Sequence, residues 1–229
     1  MPPTDGARWI LVDVGQVLIA FDHGVISERL VAECGPSSRR SAGLRAAVEQ
    51  FVLGAAAGPS PNAQVDRGQR DVDWLRTMVN GEFGLTITPT VFEEIWTSIF
   101  APTVNAEVVA AVDAWRAAGF TIGICSNTNA THWSFLRRAH PEFRRVVDGA
   151  RCFLSFQMGA GKGDAGFFER IARETSAPMA RHLLIDDKVE HCQAARAAGM
   201  RAVVFDPADI PGSLHRVTHS LSGGSDDGA

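Results

Sequence analysis

The hydrophobic positions of this chain change period twice. Trp9-Ile10-Leu11-Val12 is a continuous apolar run that ends on a carboxylate, Asp13, and then Val14-Gly15. A short unbroken run of this kind predicts a buried strand. From Asp22 to about Phe100 the period becomes helical. Val25, Leu30 and Ala32 lead to Cys34-Gly35-Pro36, a helix stop, and Leu44, Val48, Phe51 and Val52 mark a second amphipathic stretch. Residues 54–68 are rich in Ala, Gly and Pro and predict a loop. Val72, Leu75, Val79 and Phe83 predict a helix. Thr88-Pro89 starts another, with threonine as cap and proline at the first helical position, and Phe92, Ile95, Trp96 and Ile99 share its apolar face.

The second change restores an α/β alternation. A helix over 105–118 closes at Gly119. A strand over 120–125 ends at Ser126-Asn127-Thr128-Asn129, and a helix begins near Ala130. A strand over 152–154 leads into a glycine-rich loop, Met158-Gly159-Ala160-Gly161-Lys162-Gly163-Asp164. A helix over 167–175, a strand over 182–185, the pair Asp186-Asp187, a helix over 189–198 and a strand over 201–205 follow. Strands separated by single helices predict a doubly wound parallel sheet. The expected organisation is an α/β core from 1–21 and 101–219, an all-helical insertion over 22–100, and a disordered polar tail over 220–229. Tryptophans at helical spacing, such as Trp74 and Trp96, are expected to anchor packing.

Composition narrows the function classes. With 229 residues, 45% hydrophobic and 21% charged, the chain can bury a sizeable core. A net charge of −4 without a basic block argues against nucleic acid or anionic membrane as partner. No apolar stretch reaches membrane-spanning length, and the N-terminus lacks the order of a signal peptide. Cys34, Cys125, Cys152 and Cys192 show no metal-ligand spacing. Cys125 and Cys152 are expected as small core residues, which fits a reducing, cytoplasmic location. No protein partner is indicated.

The candidate chemistry sits at strand ends. In a parallel sheet these lie on one edge, so Asp13, Ser126 with Asn127, Lys162 and Asp186-Asp187 converge. A carboxylate nucleophile, a hydroxyl with backbone amides, a lysine and acidic metal ligands are what phosphoryl transfer needs. Gly15 would let substrate approach the backbone. Asp13 beside Asp187 requires a hard, oxygen-liganded cation such as Mg²⁺ to accept a phosphate. Each residue also has a structural reading: Asp13 as a turn former, Ser126 as a helix cap, Lys162 as a solvated loop residue, and the aspartate pair as turn or cap residues.

From about Arg8 to Pro207 the sequence resembles the haloacid dehalogenase superfamily, in the sugar-phosphatase-like branch whose first motif reads Asp-x-Gly. The segments that carry the resemblance are Asp13-Val14-Gly15, Ser126-Asn127-Thr128-Asn129 with His132 shortly after, Lys162, and Leu184-Ile185-Asp186-Asp187 followed by Ala194-Ala195-Arg196-Ala197-Ala198-Gly199. The resemblance implies a Rossmann-like core with a small helical cap. It implies that Asp13 attacks phosphorus to form an aspartyl-phosphate, that Ser126 and nearby amides bind the phosphoryl oxygens, and that Lys162 neutralises charge. Asp187 would bind Mg²⁺ with Asp13 and the Gly15 carbonyl, with Asp186 as a further ligand or behind the ligands. His132 is expected to be a structural hydrogen-bonder. His191 stands where the family usually has asparagine or aspartate, and the resemblance implies that it replaces that contact or alters metal affinity.

Two departures matter. Most phosphatases of the superfamily carry an acid–base aspartate two positions after the nucleophile, where this chain has Gly15. Esters whose leaving groups need little protonation, such as anomeric sugar phosphates, are therefore expected to be preferred. The usual Lys-Pro-Asp-Pro is here Lys162-Gly163-Asp164-Ala165, which predicts a looser lysine loop. The expected function is a Mg²⁺-dependent phosphatase of a small phosphorylated metabolite. The alternatives are a 2-haloacid dehalogenase-type hydrolase and a catalytically silent phosphate-binding protein.

Overall fold

The computed structural model describes residues 8–33, 41–54 and 60–222. The expected helix stop at Cys34-Gly35-Pro36 and the end of the tail, from 223 on, lie outside them. Five strands, β1 (Trp9–Val12), β2 (Thr121–Ser126), β3 (Arg151–Leu154), β4 (His182–Asp186) and β5 (Arg201–Val204), form one parallel sheet in the order β3-β2-β1-β4-β5. β1 lies at the centre. Val12 is in register with Ile124 on one side and Ile185 on the other, so the three chain ends that follow emerge together.

The sheet is covered on both faces, and this explains the unbroken apolar runs. In β1, Ile10 and Val12 point into one cluster while Trp9 and Leu11 point into another. On the first face lie α6 (Ala106–Ala117), α7 (Ala130–Ala139), α8 (Pro141–Asp148) and α12 (Ile210–Leu221), contributing Val112, Leu136, Phe143 and Val217. On the second lie α10 (Phe167–Thr175) and α11 (Val189–Ala197), contributing Phe167, Ile171 and Ala195. α12 carries the chain to Leu221 with Ser220 buried, so Ser220 and Leu221, expected to belong to a disordered tail, are helical.

Between β1 and β2 stand α1 (Gly24–Glu33), α2 (Ser41–Val52), α3 (Pro61–Asp66), α4 (Val72–Phe83) and α5 (Pro89–Thr97). They enclose a third cluster that includes Leu30, Leu75, Val79, Phe92 and Trp96. The insertion leaves and re-enters the core through a paired stem. Asp22 N–H donates to Ile99 C=O (2.9 Å), and Ala101 N–H donates to Ala20 C=O (2.9 Å). Thr88 caps α5 through its side chain, with Pro89 at the first helical position.

The segment expected to be a loop over 54–68 contains α3. Its start has the same logic as that of α5: Ser60 accepts from Ala63 N–H and Pro61 is the first helical residue. Composition masked that signal. The glycine-rich loop is likewise shorter than expected, because Met158 ends a one-turn helix, α9 (Ser155–Met158).

Candidate active site

Asp13 follows the central strand and is held by short backbone bonds. Its N–H donates to Ile185 C=O (3.0 Å), and its Oδ1 accepts from Val14 N–H (2.7 Å) and Lys162 Nζ (2.8 Å). Among the described residues no hydrogen bond falls on Oδ2. One carboxylate oxygen is anchored and the other remains for chemistry.

Lys162 is 1% exposed, which excludes the solvated reading. Its Nζ lies between Asp13 and Asp186 and also donates to Cys125 C=O (3.1 Å). Burial disfavours its charge, but Asp13 and Asp186 outweigh that and hold its pKa well above the ordinary lysine value. The expected looseness of its loop is not found. Asn127 Oδ1 accepts from Lys162 N–H (2.9 Å), and Asp164 Oδ2 accepts from Gly161 N–H (2.7 Å). Arg67, just after α3, forks onto both Asp164 oxygens at 3.0 and 2.9 Å. Side chains thus supply the rigidity that the missing prolines would have given.

Asp186 is fully buried with both oxygens engaged. Oδ2 pairs with Lys162, while Oδ1 accepts from Lys188 N–H (2.9 Å) and faces His191 Nδ1 (2.9 Å). Burial would raise its pKa, but Lys162 and His191 overcome this and hold it well below the usual carboxylate range. Asp187 is half-buried, and burial together with the Asp186 charge raises its pKa. Asp13 is also raised, first by burial and further by Asp186 and Asp187, against the pull of Lys162. Carboxylate oxygens of Asp13, Asp186 and Asp187 lie within 4.8 Å of one another. One lysine does not neutralise three such groups, and hard oxygen donors at this spacing suit a divalent cation. With the Asp186 oxygens occupied, Asp13 and Asp187 are the side chains left to hold it.

Ser126, 3% exposed, is the last residue of β2 rather than the first of the loop, and it lines a cavity of about 60 Å³ with Val14, Gly15 and Asn127. The far wall of that cavity comes from the inserted helices and their stem: Phe21, His23, Asn62 and Asp66. A Cβ at position 15 would meet the Phe21 ring at 2.5 Å, so glycine lets that ring pack against the loop while position 15 still lines the cavity. The same ring occupies the space that an aspartate at this position would need.

Asn129 caps α7 and organises the wall behind the cavity. Its Oδ1 accepts from His132 N–H (3.0 Å), while its Nδ2 donates to Asp66 Oδ1 (3.0 Å) and to His132 Nδ1 (3.1 Å). His132 Nε2 then donates to Trp96 C=O (2.9 Å), which assigns a neutral imidazole with its proton on Nε2. His132 is therefore the structural hydrogen-bonder anticipated. Burial lowers its pKa from 6.5 to about 3. A group whose charged form is excluded from the fold contributes stability that is present above its unfolded pKa and lost as pH falls towards the folded one. Replacing His132 with glutamine should remove an acid-sensitive term of roughly 3 kcal/mol near pH 4. Unfolding free energies of both proteins at pH 7 and pH 4 measure it, and equal acid sensitivity would refute it.

The residues that sequence reasoning missed are therefore His23, Asn62, Asp66 and Arg67, all from the insertion, and Ser155, whose hydroxyl contacts Thr128 C=O (2.9 Å) and Asp66 C=O (2.5 Å). The Ser60-Pro61 helix start was the one available signal for α3. The convergence of its last residue on the sheet edge left no local mark. Cys125 is fully buried beside Lys162, where burial pushes its thiol pKa up, as expected of a packing residue. Cys152, read as another core residue, is only partly buried. Among the described residues no helix is long and apolar enough to cross a membrane.

A predicted HAD-like family hydrolase from Porphyromonas gingivalis superposes with a TM-score of 0.75 at 21% identity, covering 93% of this chain and 98% of that one. A HAD family enzyme from Bacteroides thetaiotaomicron, solved with magnesium and inorganic phosphate, gives 0.72 at 20% identity over 88% and 96%. An L-2-haloacid dehalogenase gives 0.55 at 19% identity over 87% and 84%. These likenesses establish the fold. The comparison with curated proteins returned no match. The family model for haloacid dehalogenase-like hydrolases matches residues 9–199, and the chain belongs to that family of hydrolases.

Proposed function

We propose that this hydrolase is a Mg²⁺-dependent phosphatase of a small phosphorylated metabolite, with Asp13 as the nucleophile. The observation that carries the reading is the buried arrangement of Asp13, Asp186 and Asp187 around a single lysine. An attack on carbon by Asp13, as in a dehalogenase, needs no cation, and three carboxylates would then be left with surplus negative charge. The structure solved with magnesium and inorganic phosphate supports the same direction by likeness of fold.

In this reading Asp13 Oδ2 attacks phosphorus in line, while Oδ1 stays anchored on Val14 N–H and Lys162. Lys162 neutralises Asp13 and the incoming phosphoryl oxygens, and Asp186 holds Lys162 in place. Ser126 donates its hydroxyl to a phosphoryl oxygen. Asn127 acts chiefly by tying the Lys162 backbone, leaving its amide group for the phosphate. Asp13, Asp187 and the Gly15 carbonyl would hold Mg²⁺, with Asp186 behind them; bound there, the ion supplies charge neutralisation for phosphate among carboxylates. The five inserted helices act as a cap that closes the sheet edge and selects the leaving group.

Phosphate release from a panel of phosphorylated metabolites, with Mg²⁺ and with EDTA, tests this. Release that needs the metal is expected. Chloride or fluoride release from 2-haloacids, indifferent to EDTA, would instead establish the dehalogenase. Tight phosphate binding without turnover would establish a silent scaffold.

A further inference from the structure

Cleavage of a phosphate ester needs a proton for the leaving oxygen and then a base for the attacking water, and Gly15 can supply neither. We propose that Asp66, the last residue of α3 and brought by it to the sheet edge, is the general acid–base of this hydrolase, so that the inserted helices supply the group missing after the nucleophile. This rests on the phosphatase reading above. As Asp13 forms its bond to phosphorus and the bond to the ester oxygen breaks, the Asp66 carboxyl gives its proton to that oxygen and releases an alcohol. The resulting Asp66 carboxylate takes a proton from water as the water oxygen attacks phosphorus. The Asp13–phosphorus bond then breaks, releasing inorganic phosphate and restoring both aspartates.

The placement supports it. Asp66 lines the same cavity as Gly15, Ser126 and Asn127. Its carboxyl is aimed from two sides, accepting from Asn129 Nδ2 on Oδ1 (3.0 Å) and from Asn62 Nδ2 on Oδ2 (3.0 Å). Asn129 is itself fixed by His132, and α3 is fastened to the core by the Arg67–Asp164 fork and by Ser155. The chain after α3 also passes so close to Phe156 that only glycine fits at Gly68, which has φ +66°.

The same wall provides a place for the leaving group. Asn62 Oδ1 and His23 Nδ1 are buried without hydrogen-bond partners among the described residues, and both residues line the cavity. Buried polar atoms of this kind call for a ligand's donors or acceptors, and hydroxyls of a leaving alcohol supply them beside Asp66. Burial raises the Asp66 pKa to about 6, against the Asn129 and Asn62 donors and the charges of Lys188 and Arg67. Both of its protonation states are therefore populated near neutral pH. The other titratable groups on this wall are histidines: His132 is neutral, and burial and Lys188 lower the pKa of His23. With this donor the enzyme is not confined to esters with acidic leaving groups, unlike the expectation drawn from Gly15 alone.

The test compares kcat/KM of wild type and Asp66→Asn on p-nitrophenyl phosphate, whose leaving group needs no proton, and on glycerol phosphate, whose leaving group does. Asp66→Asn should lose ~100- to 10,000-fold on the glycerol ester and at least about tenfold less on the nitrophenyl ester. Equal losses on both would assign Asp66 a merely structural role and overturn the proposal. Should Asp66→Asn not fold, wild type decides alone across esters of rising leaving-group basicity. A shallow dependence supports the proposal, and a steep decline overturns it. A wild type that cleaves neither ester with Mg²⁺ present defeats the phosphatase reading itself, and the proposal with it.

Discussion

Replacing Asp13 with asparagine is expected to lower phosphate release by at least about 10,000-fold, because the amide cannot act as the oxygen nucleophile. The fold should survive. Asparagine Oδ1 can still accept from Val14 N–H, and Lys162 keeps its pairing with Asp186 and the Cys125 carbonyl. Removing one of three clustered carboxylates relieves repulsion, so thermal stability should be unchanged or higher. Parallel measurement of phosphate release and thermal unfolding checks both halves. Residual activity above a hundredth of wild type, in protein that unfolds normally, would remove Asp13 from the nucleophile's role.

Lys162→Met should damage stability and activity together, which separates it from Asp13→Asn. The substitution leaves Asp13 and Asp186 buried without their cation, and breaking a buried pair in this way costs about 3–5 kcal/mol. The Asp13 pKa, already raised by burial, would lose the Lys162 charge that opposes the rise, so more of the proposed nucleophile would be protonated at neutral pH. Loss of charge neutralisation at the phosphoryl oxygens adds on the order of 100- to 1,000-fold in kcat. Denaturant unfolding with and without Mg²⁺ reads the first effect, and phosphate release reads the second. A Lys162→Met protein as stable as wild type would mean that the buried carboxylates are neutral rather than ion-paired.

Asp186 shows how these two results connect. It faces Lys162 through one oxygen and His191 through the other, so its work in this arrangement is to fix the lysine. His191, at a position where another side chain was expected, meets the same requirement for a hydrogen-bonding partner to a buried carboxylate. The sequence made the pairing of Asp186 and Asp187 visible but not the division of labour between them.

Much of the core was legible because local chemistry and long-range packing agree there. Apolar runs such as Trp9–Val12 and Leu183-Leu184-Ile185 can be satisfied only by a sheet covered on both faces, and a parallel sheet brings its strand ends to one edge whatever the loops do. Asp13, Ser126, Lys162 and the Asp186-Asp187 pair could therefore be placed together without coordinates. What tertiary structure alone decided lies where that agreement ends. The need for glycine at position 15 comes partly from the Phe21 ring, which is eight residues beyond Asp13 in sequence but folds back onto the loop in space. The lysine loop looked loose because its own residues lack proline, yet it is held by Asn127 from another strand end and by Arg67 from the insertion. Asp66 ends a six-residue helix inside a stretch dominated by alanine, glycine and proline. Its place in the cavity that Ser126 also lines arises from how the inserted helices dock on the sheet edge, and no periodicity within the chain encodes a contact between surfaces so far apart in sequence.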